Sequence, residues 1–257
     1  MDTPLIRIDR PAPGWVRLVL DRPPGNILTM GMCEALQEKV TAASEDPDTK
    51  LLSIEGADAH FSYGASVEEH APDRVGEMLP AFDDLIRALL DARCATAAVV
   101  CGRCLGGGFE VALACDLVFA SDHAKLGVPE ITLGVFPPAA AALLPLRVGT
   151  PRASRVILSG EALPARWWFD AGLVTQLAPT EALGEAVRGW YDRFFAPRSA
   201  VALRHAARAA RSVLREHAVA TLRTLERQYL DELMQTTDAT EGCAAFIEKR
   251  PPVWRNR

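Results

Sequence analysis

The sequence lacks an excess of positive charge. Its 257 residues include 28 Lys and Arg against 33 Asp and Glu, which gives a formal net charge of −5 and a pI near 5.6. Nucleic-acid binding depends on a field of Lys and Arg that faces the phosphates, so this balance argues against nucleic acid as the main partner. Several arginines between residues 204 and 215 could still hold a small anion. A charged run of this kind more often forms a solvated helix face, which is the favoured interpretation.

Long apolar runs are also missing. The first ten residues, MDTPLIRIDR, do not resemble a signal peptide. No stretch approaches the ~20 apolar residues that span a bilayer as a helix. We therefore expect a protein that does not interact with a membrane and resides in the cytoplasm.

Cysteine is present, but its spacing predicts neither a disulfide framework nor a metal site. Cys101 and Cys104 form one C-x-x-C, no second C-x-x-C exists, and the next histidine downstream is His123. A structural zinc site needs four suitably spaced ligands, and disulfide frameworks are typical of small secreted chains. We expect reduced, buried thiols and no metal. A redox or metal role for the C-x-x-C is the less favoured alternative.

The first part of the sequence alternates between strand and helix patterns, and 49% hydrophobic residues allow a sizeable core. Such alternation implies an α/β fold in which parallel strands are covered by helices. The predicted strands are residues 5–8, 15–20, 50–54, 95–101 and 116–120, the predicted helices are residues 30–44 and 78–92, and residues 58–69 are predicted as a loop.

From about Pro151 onward, helical patterns dominate as far as Ile247, and the one strand signal is at residues 173–177. We therefore predict an α/β core domain of residues 1–195 followed by a helical C-terminal region of residues 196–257. No internal repeat or low-complexity linker marks the boundary.

A glycine-rich turn comes directly after the predicted strand 95–101. Gly106, Gly107 and Gly108 precede Phe109 and Glu110 at a change from strand to helix. Glycine lets the backbone approach a ligand closely, and a helix start presents unpaired N–H groups. A phosphate-binding loop would require Lys-Ser or Lys-Thr next, which is not present. The turn therefore suggests either an oxyanion hole or a purely structural turn.

Two glutamates occur among apolar residues near this turn. Glu110 lies in the predicted first helical turn, and Glu130 lies between Pro129 and Ile131. Either glutamate alone could simply offset a helix dipole. Two carboxyl groups that flank a glycine turn favour a pair that performs acid–base chemistry on a substrate.

At this point the chain resembles the crotonase (enoyl-CoA hydratase/isomerase) family over nearly its whole length. The main similarity is the segment LGGGFEVALACDLVFASDHAKLGVPEITLGVFP. Three further segments resemble family motifs in the same order: DRPPGNIL, HFSYGASVEE and EGCAAFIEKRPPVW. The resemblance implies a fold of stacked ββα units with a helical C-terminal trimerisation region.

The resemblance also assigns roles to residues at matching positions. Ala65 and Gly107 would donate two backbone N–H groups to the thioester carbonyl oxygen and stabilise an enolate. Glu110 and Glu130 match the two hydratase glutamates, in which case Glu110 is the base toward water and Glu130 delivers a proton to the α-carbon. Because relatives with other activities often lack one of the two, the retained pair favours hydration.

The same resemblance places several residues near coenzyme A. Ser66 and Glu68 belong to the loop that contains Ala65, and Phe246 and Lys249 match a C-terminal motif that reaches CoA from a neighbouring subunit. A homotrimer or homohexamer is therefore implied. No separate cofactor is expected, since CoA is part of the substrate.

The chain departs from the family pattern in three places. Ser66 replaces the usual Asp of the G-A-D loop, and Arg103 is larger than the residue that commonly precedes the glycines. In LGVFPPAAAALLP, Pro138 and alanines replace a glycine-rich segment, which should reshape the acyl pocket.

A similar segment occurs in the alicyclic dienoyl-CoA hydratases of anaerobic aromatic degradation. That resemblance implies 1,4-addition of water to cyclohexa-1,5-diene-1-carbonyl-CoA, giving 6-hydroxycyclohex-1-ene-1-carbonyl-CoA. A straight-chain enoyl-CoA substrate and an enoyl-CoA isomerase remain as alternatives. A non-catalytic acyl-CoA-binding or RNA-binding relative is disfavoured by the acidic pI and the retained glutamates.

Overall fold

A computed structural model describes residues 5–257 of the chain. Its strands are β1 (Ile6–Ala12), β2 (Trp15–Leu20), β3 (Leu51–Gly56), β4 (Ala95–Val100), β5 (Arg103–Leu105), β6 (Leu117–Ser121), β7 (Lys125–Gly127), β8 (Ala162–Pro164) and β9 (Gln176–Ala178). Its α-helices are α1 (Met30–Glu45), α2 (Val75–Asp91), α3 (Gly107–Ala114), α4 (Pro138–Val148), α5 (Thr150–Ser159), α6 (Ala165–Asp170), α7 (Leu183–Phe194), α8 (Ala200–Arg227) and α9 (Thr237–Ile247).

The main sheet has the strand order β1-β2-β3-β4-β6-β9. Strands β1 and β2 are antiparallel, and every later neighbour is parallel. A smaller sheet joins β5, β7 and β8. This confirms the predicted α/β class and the parallel pairing. The strands of the small sheet were not predicted, because three residues are too few for a period-2 pattern to be recognised.

Both faces of the main sheet are covered. Leu18, Leu52 and Ala98 belong to a large core that includes side chains of α1, α2 and α3. Leu51 and Ala97, which point to the other face, pack in a second cluster with α7. Burial on both faces explains why β4, with the sequence ATAAVV, is apolar at nearly every position and buried throughout.

The C-terminal helices pack on the core. Helix α8 contacts α2 and α4, and a π-helical segment (Gln228–Glu232) continues it. The predicted division between residues 195 and 196 falls between α7 and α8. In the part of the chain that the structure describes, no helix is long and apolar enough to cross a membrane.

Two local predictions were wrong. The arginine-rich stretch of α8 is not a uniformly solvated face, because Arg211 is 3% exposed. Its guanidinium pairs with Asp116 and donates to the carbonyl oxygens of Ala92 and Cys94. The predicted loop 58–69 contains the start of a 3₁₀ helix (Val67–His70), which is too short to leave a periodic signal.

Candidate active site

The glycine turn connects β5 to α3 in a conformation that requires glycine. Gly106 has φ 51° and ψ −131°, and a Cβ placed there would lie 2.7 Å from Oε1 of Glu130. At Gly108, a Cβ would lie 2.6 Å from the Cβ of Ser62. A side chain at either position would therefore displace its neighbours. At Gly106 it would also be strained, because the backbone there has a positive φ. The backbone of the turn thus lies close to Glu130 and to Ser62.

Two backbone N–H groups are left free beside this turn. Ala65 forms an isolated parallel bridge with Leu28. The N–H of Leu28 donates to Gly64 O, and the carbonyl oxygen of Leu28 accepts from the N–H of Ser66, so the N–H of Ala65 takes no part in the bridge. The first intrahelical bond of α3 runs from Glu110 N to Gly106 O, so the N–H of Gly107 is free as well. Among residues 5–257, neither group has a hydrogen-bond acceptor.

These two groups are close neighbours. A Cβ built on Gly107 would lie 3.1 Å from the nitrogen of Ala65, and both residues line the same cavity. Two adjacent free N–H donors at the start of a helix form a site for an oxygen atom that becomes negative. The structure thus brings together the two predicted oxyanion donors.

Glu110 lies in the first turn of α3, among side chains that are all buried. It is 4% exposed, and its Oε1 accepts a hydrogen bond of 2.8 Å from the backbone N–H of Ala140. Burial raises the pKa of Glu110 to about 7, while the N–H groups of Ala140 and Ala139 act in the opposite direction. These two donors begin α4, so the helix start that stabilises a negative charge faces this carboxylate.

Glu130 lies across the turn, in a 3₁₀ helix (Pro129–Leu133). Its Oε1 is next to Gly106, and its Oε2 is buried without a hydrogen-bond partner among the described residues. Burial raises the pKa of Glu130 well above its ordinary value, and the charge of Glu110 raises it further. The environment therefore favours a negative Glu110 and a protonated Glu130, which is the division of labour that acid–base catalysis requires.

A cavity of about 410 Å³ joins these groups, and its lining includes both glutamates, Ala65 and Gly107. Much of the remaining wall is apolar, including Val67, Met78, Leu79, Phe82, Leu133 and Phe136. An apolar cavity with a few convergent polar groups is typical of a small-molecule site and excludes bulk water from the reacting atoms.

The four residues expected near CoA lie in environments that differ from one another. Phe246 lines the cavity and is 58% exposed, as a group at the mouth of a site would be. Ser66 is buried, Glu68 is exposed in the 3₁₀ helix (Val67–His70), and Lys249 is exposed just after α9. Of this predicted set, Phe246 is the member found in the cavity wall of the described chain.

Sequence reasoning missed two residues that contact Glu110 and two residues of the cavity lining. Ala139 and Ala140 face Glu110 because α4 starts at Pro138, and proline before an alanine run is a recognisable helix start. His70 and Tyr229 also line the cavity, but no local pattern indicates either one. Each comes from an element whose position relative to the glycine turn is known only once the chain is folded.

Within residues 5–257, all six cysteines are free thiols, of which five are buried and Cys101 is half-buried. The same part of the chain contains no group of three or more His, Cys, Asp or Glu side chains placed to hold a metal ion.

Comparison with known proteins gives a consistent family assignment. The family model for enoyl-CoA hydratase/isomerase matches residues 14–257. Cyclohexa-1,5-dienecarbonyl-CoA hydratase of Thauera aromatica is 41% identical over 242 residues, covering 94% of this chain and 93% of the relative. The 2,3-dehydroadipyl-CoA hydratase of Escherichia coli K12 is 34% identical over 246 residues, with 93% and 94% coverage.

A solved structure of an enoyl-CoA hydratase from Mycobacterium avium subsp. paratuberculosis K-10 superposes with a TM-score of 0.87. It is 27% identical in sequence, and the match covers 99% of this chain and 100% of that one.

Proposed function

The chain belongs to the enoyl-CoA hydratase/isomerase family and is an enzyme of the hydro-lyase type. We propose that it hydrates a conjugated cyclic dienoyl-CoA, cyclohexa-1,5-diene-1-carbonyl-CoA, to 6-hydroxycyclohex-1-ene-1-carbonyl-CoA in the degradation of aromatic compounds. The carrying observation is the pair of buried carboxyl groups, Glu110 and Glu130, beside two free backbone N–H donors in one largely apolar cavity.

The thioester carbonyl oxygen would bind between the N–H groups of Ala65 and Gly107. Withdrawal of electron density through this carbonyl makes the β-carbon of the conjugated double bond electrophilic. When a nucleophile adds there, the negative charge moves onto the carbonyl oxygen as an enolate. Each donor aimed at such an oxygen contributes roughly 3–4 kcal/mol to transition-state stabilisation.

The two glutamates would divide the proton transfers. Glu110 accepts a proton from water as the water oxygen bonds to carbon 2 of the ring, which is the β-carbon. The resulting dienolate extends over carbons 1, 6 and 5. Glu130 then donates its proton to carbon 5, the far end of the dienolate, rather than to the α-carbon (carbon 1) that the family pattern implies, and the remaining double bond lies between carbons 1 and 6. Renumbered from the carboxylated carbon, this product is 6-hydroxycyclohex-1-ene-1-carbonyl-CoA, and the atoms of one water are conserved.

The shape of the acyl end supports a compact apolar ring as the substrate. Phe136, Pro137 and Pro138 line the cavity where α4 begins. Proline and alanine make this wall more rigid than glycine would. The 41% identity with the Thauera aromatica hydratase, named for the same cyclic diene, favours this substrate over a straight chain. As proposed, the reaction uses no separate cofactor.

We also propose that the working form is a homotrimer or homohexamer in which Ser66, Glu68, Phe246 and Lys249 contribute to CoA binding. Exposed apolar side chains support an assembly, including Val201 and Val213 on α8, which are 63% and 69% exposed. Light scattering would then give three or six times the chain mass of 27.8 kDa, and a monomer would contradict the proposal.

The substrate is tested with purified protein incubated separately with cyclohexa-1,5-diene-1-carbonyl-CoA and crotonyl-CoA, followed by liquid chromatography and mass spectrometry. Gain of one water on the cyclic diene, with little on crotonyl-CoA, is the expected result. Hydration of crotonyl-CoA alone would replace the cyclic substrate by a straight-chain one. Double-bond migration without added water would indicate an isomerase.

A further inference from the structure

Tyr229 has a buried hydroxyl group that no described part of the chain uses. The side chain is 1% exposed, it lines the cavity that contains Glu110 and Glu130, and its hydroxyl has no hydrogen-bond partner among residues 5–257. The other fully buried tyrosine, Tyr191, is satisfied, because its hydroxyl donates to Pro13 O at 2.6 Å. A buried hydroxyl without a partner costs about 1–3 kcal/mol, so an unpaired one next to a ligand cavity requires an explanation.

The backbone at Tyr229 has an unusual conformation. The residue lies in the π-helical segment Gln228–Glu232, which follows directly on the helix that begins at Ala200. Such π segments are rare and occur frequently at functional sites, where an extra residue in the turn redirects a side chain. The irregular turn and the unpaired hydroxyl are independent observations at the same residue.

Aromatic neighbours fix the direction of the ring. The ring of Phe136 lies edge-on to it, with centroids 5.4 Å apart, and that of His70 lies edge-on at 6.5 Å. The imidazole is itself held, since Nδ1 of His70 is 2.8 Å from Ser66 O. Because a tyrosine has only two rotatable bonds before its ring, these contacts restrict the side chain to its place in the cavity lining.

The hydroxyl is also close enough to the glutamates to respond to their charge. Burial raises the pKa of Tyr229, and the charges of Cys243, Glu130 and Glu110 raise it further. The group therefore keeps its proton throughout the neutral range and acts as a hydrogen-bond donor. Because none of the described residues accepts a hydrogen bond from this hydroxyl, the acceptor would come from the ligand or from water.

We propose that Tyr229 is a further catalytic residue, whose hydroxyl donates a hydrogen bond to the oxygen that enters the substrate. This inference depends on the proposed hydration. As Glu110 removes a proton from water and the carbon–oxygen bond forms, that oxygen carries hydroxide character, which a donor stabilises. Tyr229 keeps its own proton, and the same contact then holds the hydroxyl of the product.

The kinetic test is Tyr229→Phe, which removes only the hydroxyl. We expect kcat for hydration to fall roughly 10- to 100-fold while KM stays within about threefold, because the contact forms with the reacting oxygen. The matched control is Tyr191→Phe, which removes a buried hydroxyl far from the cavity and should leave kcat unchanged. A kcat of Tyr229→Phe within twofold of the wild type would overturn the proposal.

Two further measurements, ligand binding and thermal stability, distinguish this role of Tyr229 from a purely structural role. The binding measurement also remains informative if the proposed hydration is not observed. Calorimetry should show that the wild type binds 6-hydroxycyclohex-1-ene-1-carbonyl-CoA more tightly than cyclohex-1-ene-1-carbonyl-CoA, and that Tyr229→Phe reduces this preference roughly 2- to 10-fold. This comparison stands even if no hydration is detected, and an unchanged preference would overturn the proposal. The Tm of Tyr229→Phe should not decrease, and a fall of several degrees would reveal a structural partner instead.

Discussion

Glu110 and Glu130 carry the same functional group in different environments. Two backbone N–H groups at the start of α4 lower the pKa of Glu110 against the effect of burial. Glu130 lacks such donors at Oε2 among the described residues, and the charge of Glu110 raises its pKa. A proton shared by the pair is therefore held mainly by Glu130, and the titration belongs to the pair as a unit.

Glutamine substitutions test both roles, since they keep shape and remove proton transfer. Glu110→Gln and Glu130→Gln should each lower kcat for hydration by about 10²–10⁴-fold, which is the usual contribution of an acid or base. Glu216→Gln, an exposed position on α8, is the matched control and should match the wild type. If Glu110→Gln retained double-bond transfer at the wild-type rate, the enzyme would be an isomerase.

The dependence of kcat/KM on pH should be bell-shaped. As the pH falls below about 7, Glu110 gains a proton and stops accepting one from water, so the rate decreases on the acid side. As the pH rises through the elevated pKa of Glu130, this residue loses the proton that it must donate, so the rate decreases again. Circular dichroism at each pH excludes unfolding as the cause. A flat profile between pH 5 and 8 would be incompatible with the assigned roles.

Among individual residues, the sequence predicted those that lie in short, recognisable motifs. Gly106, Gly107 and Glu110 belong to one motif at the start of α3, and Glu130 and Ala65 lie in short segments with recognisable patterns. Tyr229 could not be found in this way, because its importance depends on an unpaired hydroxyl and a π-helical turn. Neither feature leaves a signal in the residue types around it.

Helix α8 is fixed to the core by one buried arginine. Arg211 pairs with Asp116 and donates to the carbonyl oxygens of Leu89 and Leu90 at the end of α2. Leu89 O also accepts a hydrogen bond of 3.3 Å from the N–H of Ala92, and the guanidinium completes the cap of α2. The sequence showed only a charged run, since nothing in the spacing of arginines reveals which one faces inward.

Removal of this cap should destabilise the fold. In Arg211→Ala, Asp116 and several carbonyl oxygens lose their partner, at a cost of about 3–5 kcal/mol, and Tm should fall by roughly 10 °C. Arg208→Ala changes an exposed arginine of the same helix and should leave Tm within about 2 °C. Equal melting temperatures for the two variants would contradict this role of Arg211.

Helix α4 shows the structural effect of the segment in which Pro138 and alanines depart from the family pattern. Pro138 and the following alanines were expected to reshape the pocket by removing backbone freedom and adding β-carbons. In the structure, they begin a helix whose first N–H groups stabilise Glu110. The same segment thus forms part of the cavity wall and stabilises the negative charge of Glu110.

The whole molecule places the site between the core and the C-terminal helices. Residues before 195 supply the carboxyl groups and the N–H donors, while Tyr229 and Phe246 close the cavity from the C-terminal region. The alternation of strand and helix predicted the parallel sheet, because each element is long enough to show its period. The small sheet β5-β7-β8 and the closure of the cavity depend on contacts between distant segments, which periodicity does not contain.

The most direct test of the central claim is the position of hydrogen added from solvent. Hydration of cyclohexa-1,5-diene-1-carbonyl-CoA in deuterium oxide, followed by NMR of the product, should place one deuterium on carbon 3 of 6-hydroxycyclohex-1-ene-1-carbonyl-CoA. Carbon 3 is the end of the dienolate that Glu130 protonates after water adds at the β-carbon. Deuterium on carbon 5 would mean direct addition across the other double bond, without the enolate that Ala65 and Gly107 are placed to stabilise, and would contradict the mechanism.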